Sequence, residues 1–226
     1  QSWQPMPSFQ ISLDGIGCHD WLRGVPGSEM HALRAIGLLH ARCFDASATM
    51  CLHRGNAHVI RDTANRLASM GVRSLKVGGM MDAGAWMDPE VGDARLSMTE
   101  TYEAFERYIP QYFEDDAPLE LTLGGVFRYT GGDTWGCFFE RACTADQQDA
   151  MLACPSLGSA FYLGADGVVA PCQGMCDTEL APELPSLRSA RLSDILTESP
   201  YVRLSYATVS DVRGNGTCGS CRFADR

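Results

Sequence analysis

Ten cysteines occur in 226 residues, and their placement is uneven. Cys18, Cys43 and Cys51 are scattered through the first half, whereas Cys137, Cys143, Cys154, Cys172, Cys176, Cys218 and Cys221 crowd the C-terminal part. Thiolates ligate zinc and iron–sulfur clusters, and two of them spaced as Cys218-x2-Cys221 can grip one metal. Redox dithiols share that spacing, so the surrounding residues decide. A disulfide framework needs an oxidising compartment and usually a smaller chain, which favours metal ligation for this cluster. The five histidines, His19, His31, His40, His53 and His58, show no ligand spacing of their own.

A second group of polar residues is tied to strand ends. Phe9 to Gly15 alternates apolar and polar residues and stops at a glycine, as a short strand ending in Ser12 and Asp14 does. Arg23 follows on the next loop, and Asn56 follows the next strand pattern. A hydroxyl or carboxylate at the C-terminal end of a parallel strand is where α/β folds place their ligands. Asn56 also suits the N-cap of the helix after it.

Composition narrows the partners. The hydrophobic fraction of 45% fits an ordinary globular chain. A formal charge of −10 and a pI near 4.9 repel a phosphate backbone and an anionic lipid surface, so neither nucleic acid nor membrane is expected as a partner. No apolar run is long enough to span a bilayer and no signal-peptide pattern opens the sequence, which leaves a cytoplasmic location as the default.

The elements that must position these residues read as α/β. Ser28 suits an N-cap for a helix carrying Met30, Leu33, Ile36 and Leu39, followed by a strand from Ala46 to Leu52. A second helix carries Ile60, Ala64 and Leu67 and ends near Gly71, and Val72 to Val77 reads as a third strand. Strand, helix, strand, helix, strand at these spacings calls for parallel strands. Ser97 with Glu100 forms a capping box for a third helix whose Tyr102, Phe105, Ile109 and Tyr112 belong to the core. Beyond Asp115 the pattern breaks into short pieces. Among them Phe161-Tyr162-Leu163 and Val168-Val169-Ala170 flank Asp166-Gly167 as a hairpin, and short helices are expected within Leu192 to Leu204. Cys18, Cys43 and Cys51 read as small buried hydrophobes.

The order Cys154, Gly167-x4-Cys172, Cys218-x2-Cys221, with Tyr162 to Cys172 between, resembles the opening of the SPASM domain of radical S-adenosylmethionine (SAM) peptide-modifying enzymes. Ile11 to Gly15, with His19-Asp20 and Arg23-Gly24, resembles the fourth strand and following loop of the radical SAM barrel. The resemblance implies the C-terminal half of a partial (β/α)6 TIM-like barrel in residues 1–115, a connecting segment in 116–153, and a small Cys-rich α+β SPASM-type domain with a β-hairpin in 154–226. It further implies that Ser12 meets the SAM ribose, Asp14 supports that strand end, Arg23 contacts SAM and Asn56 joins the pocket. Cys154 and Cys172 would ligate a first auxiliary [4Fe-4S] cluster with Cys143, or in its place Cys137. Cys218 and Cys221 would ligate a second, with Cys176 either a spare ligand or a plain thiol.

The three-cysteine Cys-x3-Cys-x2-Cys motif that holds the SAM-cleaving cluster in this family does not occur in the sequence. The expectation is a fragment truncated at both ends, with an open sheet edge and inactive alone. The intact enzyme would generate a 5′-deoxyadenosyl radical and modify a peptide or protein side chain, as in ribosomal natural-product or sulfatase maturation, with flavodoxin or ferredoxin as electron donor. Quinone- or haem-type cofactor biosynthesis is the alternative within the family. A non-catalytic zinc-binding module is the alternative outside it.

Overall fold

The computed structural model describes residues 8–80, 94–131, 149–154, 161–176, 178–179, 181–197 and 205–213. The chain divides into two compact units, residues 1–81 with 85–140 and residues 82–84 with 141–226.

The first unit is built on a five-stranded sheet whose strands lie side by side in chain order: β1 (Phe9–Ser12), β2 (Ala46–Leu52), β3 (Ser74–Gly79), β4 (Glu120–Leu123) and β5 (Phe127–Tyr129). The first four are parallel and β5 runs antiparallel to β4. Parallel neighbours need crossovers, and helices supply them: α1 (His19–Arg23) and α2 (Ser28–Ala41), then α3 (Ile60–Ser69), then α4 (Met98–Glu114). β4 and β5 add two strands where the sequence suggested only a connecting stretch. Gly124 and Gly125, both at positive φ, make the tight turn between them.

Alternation gives the sheet two unlike faces. On β2, Ala46, Ala48, Met50 and Leu52 are buried while Ser47, Thr49 and Cys51 are only half-buried. The same parity buries Leu75 and Val77 on β3, Leu121 and Leu123 on β4, and Phe127 on β5. These pack with Ile36 of α2, Ile60, Ala64 and Leu67 of α3, and Ala104, Phe105, Tyr108 and Tyr112 of α4 in one core. Each large apolar side chain moved out of water there contributes about 1.5–3 kcal/mol against the entropy of ordering the chain. Tyr112 is fully buried and its hydroxyl donates to the Leu119 carbonyl at 2.6 Å, so it meets its polar need without reaching solvent. The opposite face carries Gln10, Ser12, Ser47, Thr49, Cys51, Ser74, Lys76, Gly78, Glu120, Thr122 and Arg128.

Helix starts follow local chemistry. The predicted capping box on α4 is present: Ser97 Oγ accepts from Glu100 N at 3.2 Å, and Ser97 N donates to Glu100 Oε2 at 2.8 Å. At α2 the sequence expectation fails, because Gly27, at φ 82°, takes the N-cap position and Ser28 lies inside the helix. Asp20 caps α2 from α1 instead, accepting from Gly27 N at 2.6 Å, Glu29 N at 2.7 Å and Ser28 Oγ at 2.8 Å. Those donors hold its carboxyl below the usual carboxylate range.

In the second unit β6 (Tyr162–Leu163) pairs antiparallel with β7 (Val169–Ala170), giving the hairpin that Asp166-Gly167 predicts. Gly167 sits at φ 87°, and Asp166 Oδ1 accepts from Val168 N at 3.1 Å. Two short helices follow, α5 (Leu192–Thr197) and α6 (Val209–Arg213), with Ile195 packed beside Val169 in a small core.

Candidate functional site

The parallel strands β1 and β2 end at a knot of polar groups centred on Asp14. Leu13 N still donates to Thr49 O at 2.9 Å, so the chain is in register with β2 when it reaches Asp14, whose side chain is wholly buried. Asp14 Oδ1 accepts from Cys51 N at 3.0 Å and Oδ2 accepts from Arg23 Nε at 2.8 Å. Arg23 closes α1 with Gly24 as its left-handed C-cap, and that short helix returns the guanidinium to the strand end. His19 Nδ1 lies 3.0 Å from both Asp14 N and Asp14 Oδ2; a bare Nδ1 accepts from the amide, and an Nδ1 that carries hydrogen donates to the carboxylate. A buried carboxylate is tolerable because these donors replace water.

Asn56 fastens the same place from β2. Its Nδ2 donates to Asp14 O and to Cys51 O, each at 2.8 Å, and its Oδ1 accepts from His53 N at 2.7 Å. It stands first before a one-turn 3-10 helix over Ala57–Val59 but makes no capping bond, so the cap expected of it is not formed. A completely buried amide whose donors and acceptor are all engaged ties two strand ends together.

Ser12, last in β1, is exposed, and its hydroxyl makes no hydrogen bond among the described residues. The Arg23 side chain is 39% exposed, and its terminal Nη donors have no protein acceptor among the described residues. Ser12 and Arg23 thus stand near the C-terminal end of β1 with donors unused among the described residues, Arg23 held there by Asp14. Cys51 is next along the polar face after Thr49. Burial pushes its thiol pKa up, Asp14 pushes it further, and Arg23 pulls it back. His19 and Cys51 belong to this knot; from sequence His19 had no role of its own and Cys51 read as a small buried hydrophobe. The adjacent pair His19-Asp20 just past a strand end was the available signal.

Beside the knot is a cavity of about 510 Å³, lined among others by Cys18, Trp21, His53, Gly55 and Ala94. The Trp21 and His53 rings lie 4.9 Å apart at 34°. Burial lowers the His53 pKa, opposed by the Asp14 charge. The size and aromatic lining suit a small flat organic group.

In the second unit Cys154 and Cys172 are half-buried free thiols. Cys172 leaves β7 after Pro171 and opens a one-turn 3-10 helix over Gln173–Met175, its carbonyl accepting from Met175 N at 3.2 Å. Cys176 is also half-buried and ends that turn. Cys137, Cys143, Cys218 and Cys221 lie outside the described residues. Among the described residues no three metal-ligating side chains are gathered at one point. Thiols are soft donors of the kind that iron–sulfur and zinc chemistry uses. In the first unit Cys43, expected to be buried, is exposed at φ 58°, because it lies in the tight turn that leaves α2. Among the described residues no helix is long and apolar enough to cross a membrane.

No protein-family model matches the sequence, and no curated protein matches it. Solved structures do. The chain is similar to Streptococcus suis SuiB bound to precursor peptide SuiA, with TM-score 0.57 and 9% identity over 86% of this chain and 43% of that one. It is similar to SuiB bound to S-adenosylmethionine, with TM-score 0.57 and 10% identity over 87% of this chain and 43% of that one. A third SuiB structure gives TM-score 0.59 and 10% identity over 87% and 44%. What is shared at such identity is the fold, and the chain spans less than half the length of SuiB.

Proposed function

We propose that this chain is part of a radical SAM enzyme that modifies a peptide or protein side chain, in which residues 1–115 contribute half of a SAM-binding barrel and residues 154–226 begin a SPASM-type auxiliary-cluster domain. The observation that carries the proposal is the Asp14–Arg23 junction at the end of β1, beside a free Ser12 hydroxyl, in a fold shared with a protein crystallised with SAM and with a precursor peptide.

In this reading Ser12 donates to or accepts from a ribose hydroxyl. Arg23, held through Nε by Asp14, offers its two terminal nitrogens to the carboxylate of SAM. Asp14 and Asn56 touch no ligand and fix the strand ends from which Ser12 and Arg23 project. The cavity between Trp21 and Ala94 receives a flat ring. When bound, SAM with a reduced cluster supplies one-electron hydrogen-abstraction chemistry. Cys154 and Cys172 hold an auxiliary [4Fe-4S] cluster with Cys143 or Cys137, and Cys218 with Cys221 serve another. A flavodoxin or ferredoxin supplies electrons, and cysteines kept reduced as ligands fit a cytoplasmic location.

Equilibrium dialysis of the chain against radiolabelled SAM tests the pocket. Saturable binding, weakened at least about tenfold by Arg23→Met and by Ser12→Ala together, is expected. Absence of saturable binding, or binding that neither substitution touches, would remove the proposal.

A further inference from the structure

The sequence has eighteen basic residues, of which only Lys76 is a lysine. It stands in the middle of β3 on the polar face of the sheet and is exposed, between buried Leu75 and Val77. Strand register aligns it with a row that crosses the whole sheet: Ser12 opposite Thr49, Thr49 opposite Lys76, Lys76 opposite Thr122, and Thr122 opposite Arg128. Paired residues of neighbouring strands point to the same face, so three hydroxyls, one ammonium and one guanidinium form a line of donors. Lys76 and Arg128 are two strands apart, about 10 Å, and both side chains are long enough to meet above Thr122.

Neither cation is matched among the described residues. Lys76 and Arg128 make no ion pair or hydrogen bond among the described residues, whereas Arg54 is paired with Glu100 and Arg73 with Asp45. Among the described residues the acids on this face are Glu120, one row toward the strand beginnings opposite Ser74, and Asp14, whose carboxylate is taken by Arg23 and Cys51 N. In a chain with ten more acids than bases, two cations without counter-charges among the described residues on one sheet face are a concentrated positive feature.

Directly beyond Lys76 on that face is Gly78. A Cβ there would meet nothing within 4 Å among the described residues, so no side chain of its own blocks the way along this face.

We infer that this row binds a carboxylate-bearing side chain, Glu or Asp, of the peptide substrate, with Lys76 and Arg128 as specificity-determining residues and Thr122 between them. The inference rests on the substrate being a peptide, as proposed above, and adds its charge. The donor row complements an acceptor-rich ligand.

The uniqueness of Lys76 makes the test selective. Reductive methylation of the intact chain in the absence of SAM modifies Lys76 and the N-terminal amine alone, and mass spectrometry separates the two. The acetylated, amidated peptide Gly-Glu-Gly-Glu-Gly-Glu-Gly is expected to slow Lys76 methylation at least about fivefold, and its glutamine counterpart is not. By calorimetry Lys76→Met should weaken binding of the glutamate peptide at least about tenfold while Lys76→Arg preserves it. Lys76 is exposed and has no partner among the described residues, so both variants should match the parent by circular dichroism. Equal protection by both peptides, or undiminished binding to Lys76→Met, overturns the inference, as does protection by SAM but not by peptide. The readouts involve neither cluster nor SAM turnover, so charge-selective binding in a chain that fails the dialysis experiment would sink the SAM proposal and leave the binding row standing.

Discussion

Replacing Asn56 separates a strap from a ligand. Its side chain makes three hydrogen bonds to backbone at a fully buried position: to Asp14 O, to Cys51 O and from His53 N. A buried polar group that loses its partner costs about 1–3 kcal/mol, so even the lower figure gives about 3 kcal/mol for Asn56→Ala. With a urea m-value of about 1–3 kcal/mol/M, the midpoint should fall by about 1–3 M, followed by far-UV circular dichroism. Asn56→Asp should be worse near neutral pH, because it sets a carboxylate oxygen against two carbonyl oxygens. The introduced carboxyl would have its folded pKa raised above the unfolded value of about 3.9. That variant is therefore most stable below the unfolded pKa and loses stability as pH rises through the folded one. A midpoint unchanged by Asn56→Ala, together with lost SAM binding, would refute the strap and make Asn56 a ligand.

Arg23→Met should cost about 1–2 kcal/mol of stability by urea unfolding, less than a fully buried pair because the arginine is 39% exposed, while Ser12→Ala changes stability by no more than about 0.5 kcal/mol. Glu100 is held at a pKa of about 2, first by Arg54 and then by the Ser97 amide. Its contribution to stability is thus present above the ordinary carboxylate pKa and is lost as pH falls toward about 2. Arg54→Met should move the Glu100 carbon-13 carboxyl titration upward, and an unmoved midpoint would show that the pair is not what depresses it.

Much of the first unit was legible because its signals are local. Ser97 and Glu100 lie one helical turn apart, and Ala46 to Leu52 alternates through a whole strand, so the capping box and β2 needed no distant partner. The hairpin at Asp166-Gly167 was readable for the same reason, since the turn fixes its own pairing. The misses are contacts between residues far apart in sequence. Asp20 caps α2 across a loop, which Ser28 could not reveal. Asn56 looked like a helix cap because the residues after it begin a helical turn, and its real partners are backbone groups at Asp14, Cys51 and His53. β4 and β5 are only four and three residues long, and their short apolar alternation gave too little periodicity to separate strand from loop. The row from Ser12 to Arg128 depends on the register of five strands, which no single segment encodes.

The cysteines bear most directly on the central claim. Reconstituting the chain anaerobically with iron and sulfide, then measuring metal, sulfide and the absorbance at about 400 nm, distinguishes a cluster from zinc. A brown protein with iron and sulfide in near-equal amounts, bleached by Cys154→Ser and by Cys172→Ser, is the predicted result. A colourless protein that holds stoichiometric zinc on the same cysteines would contradict it.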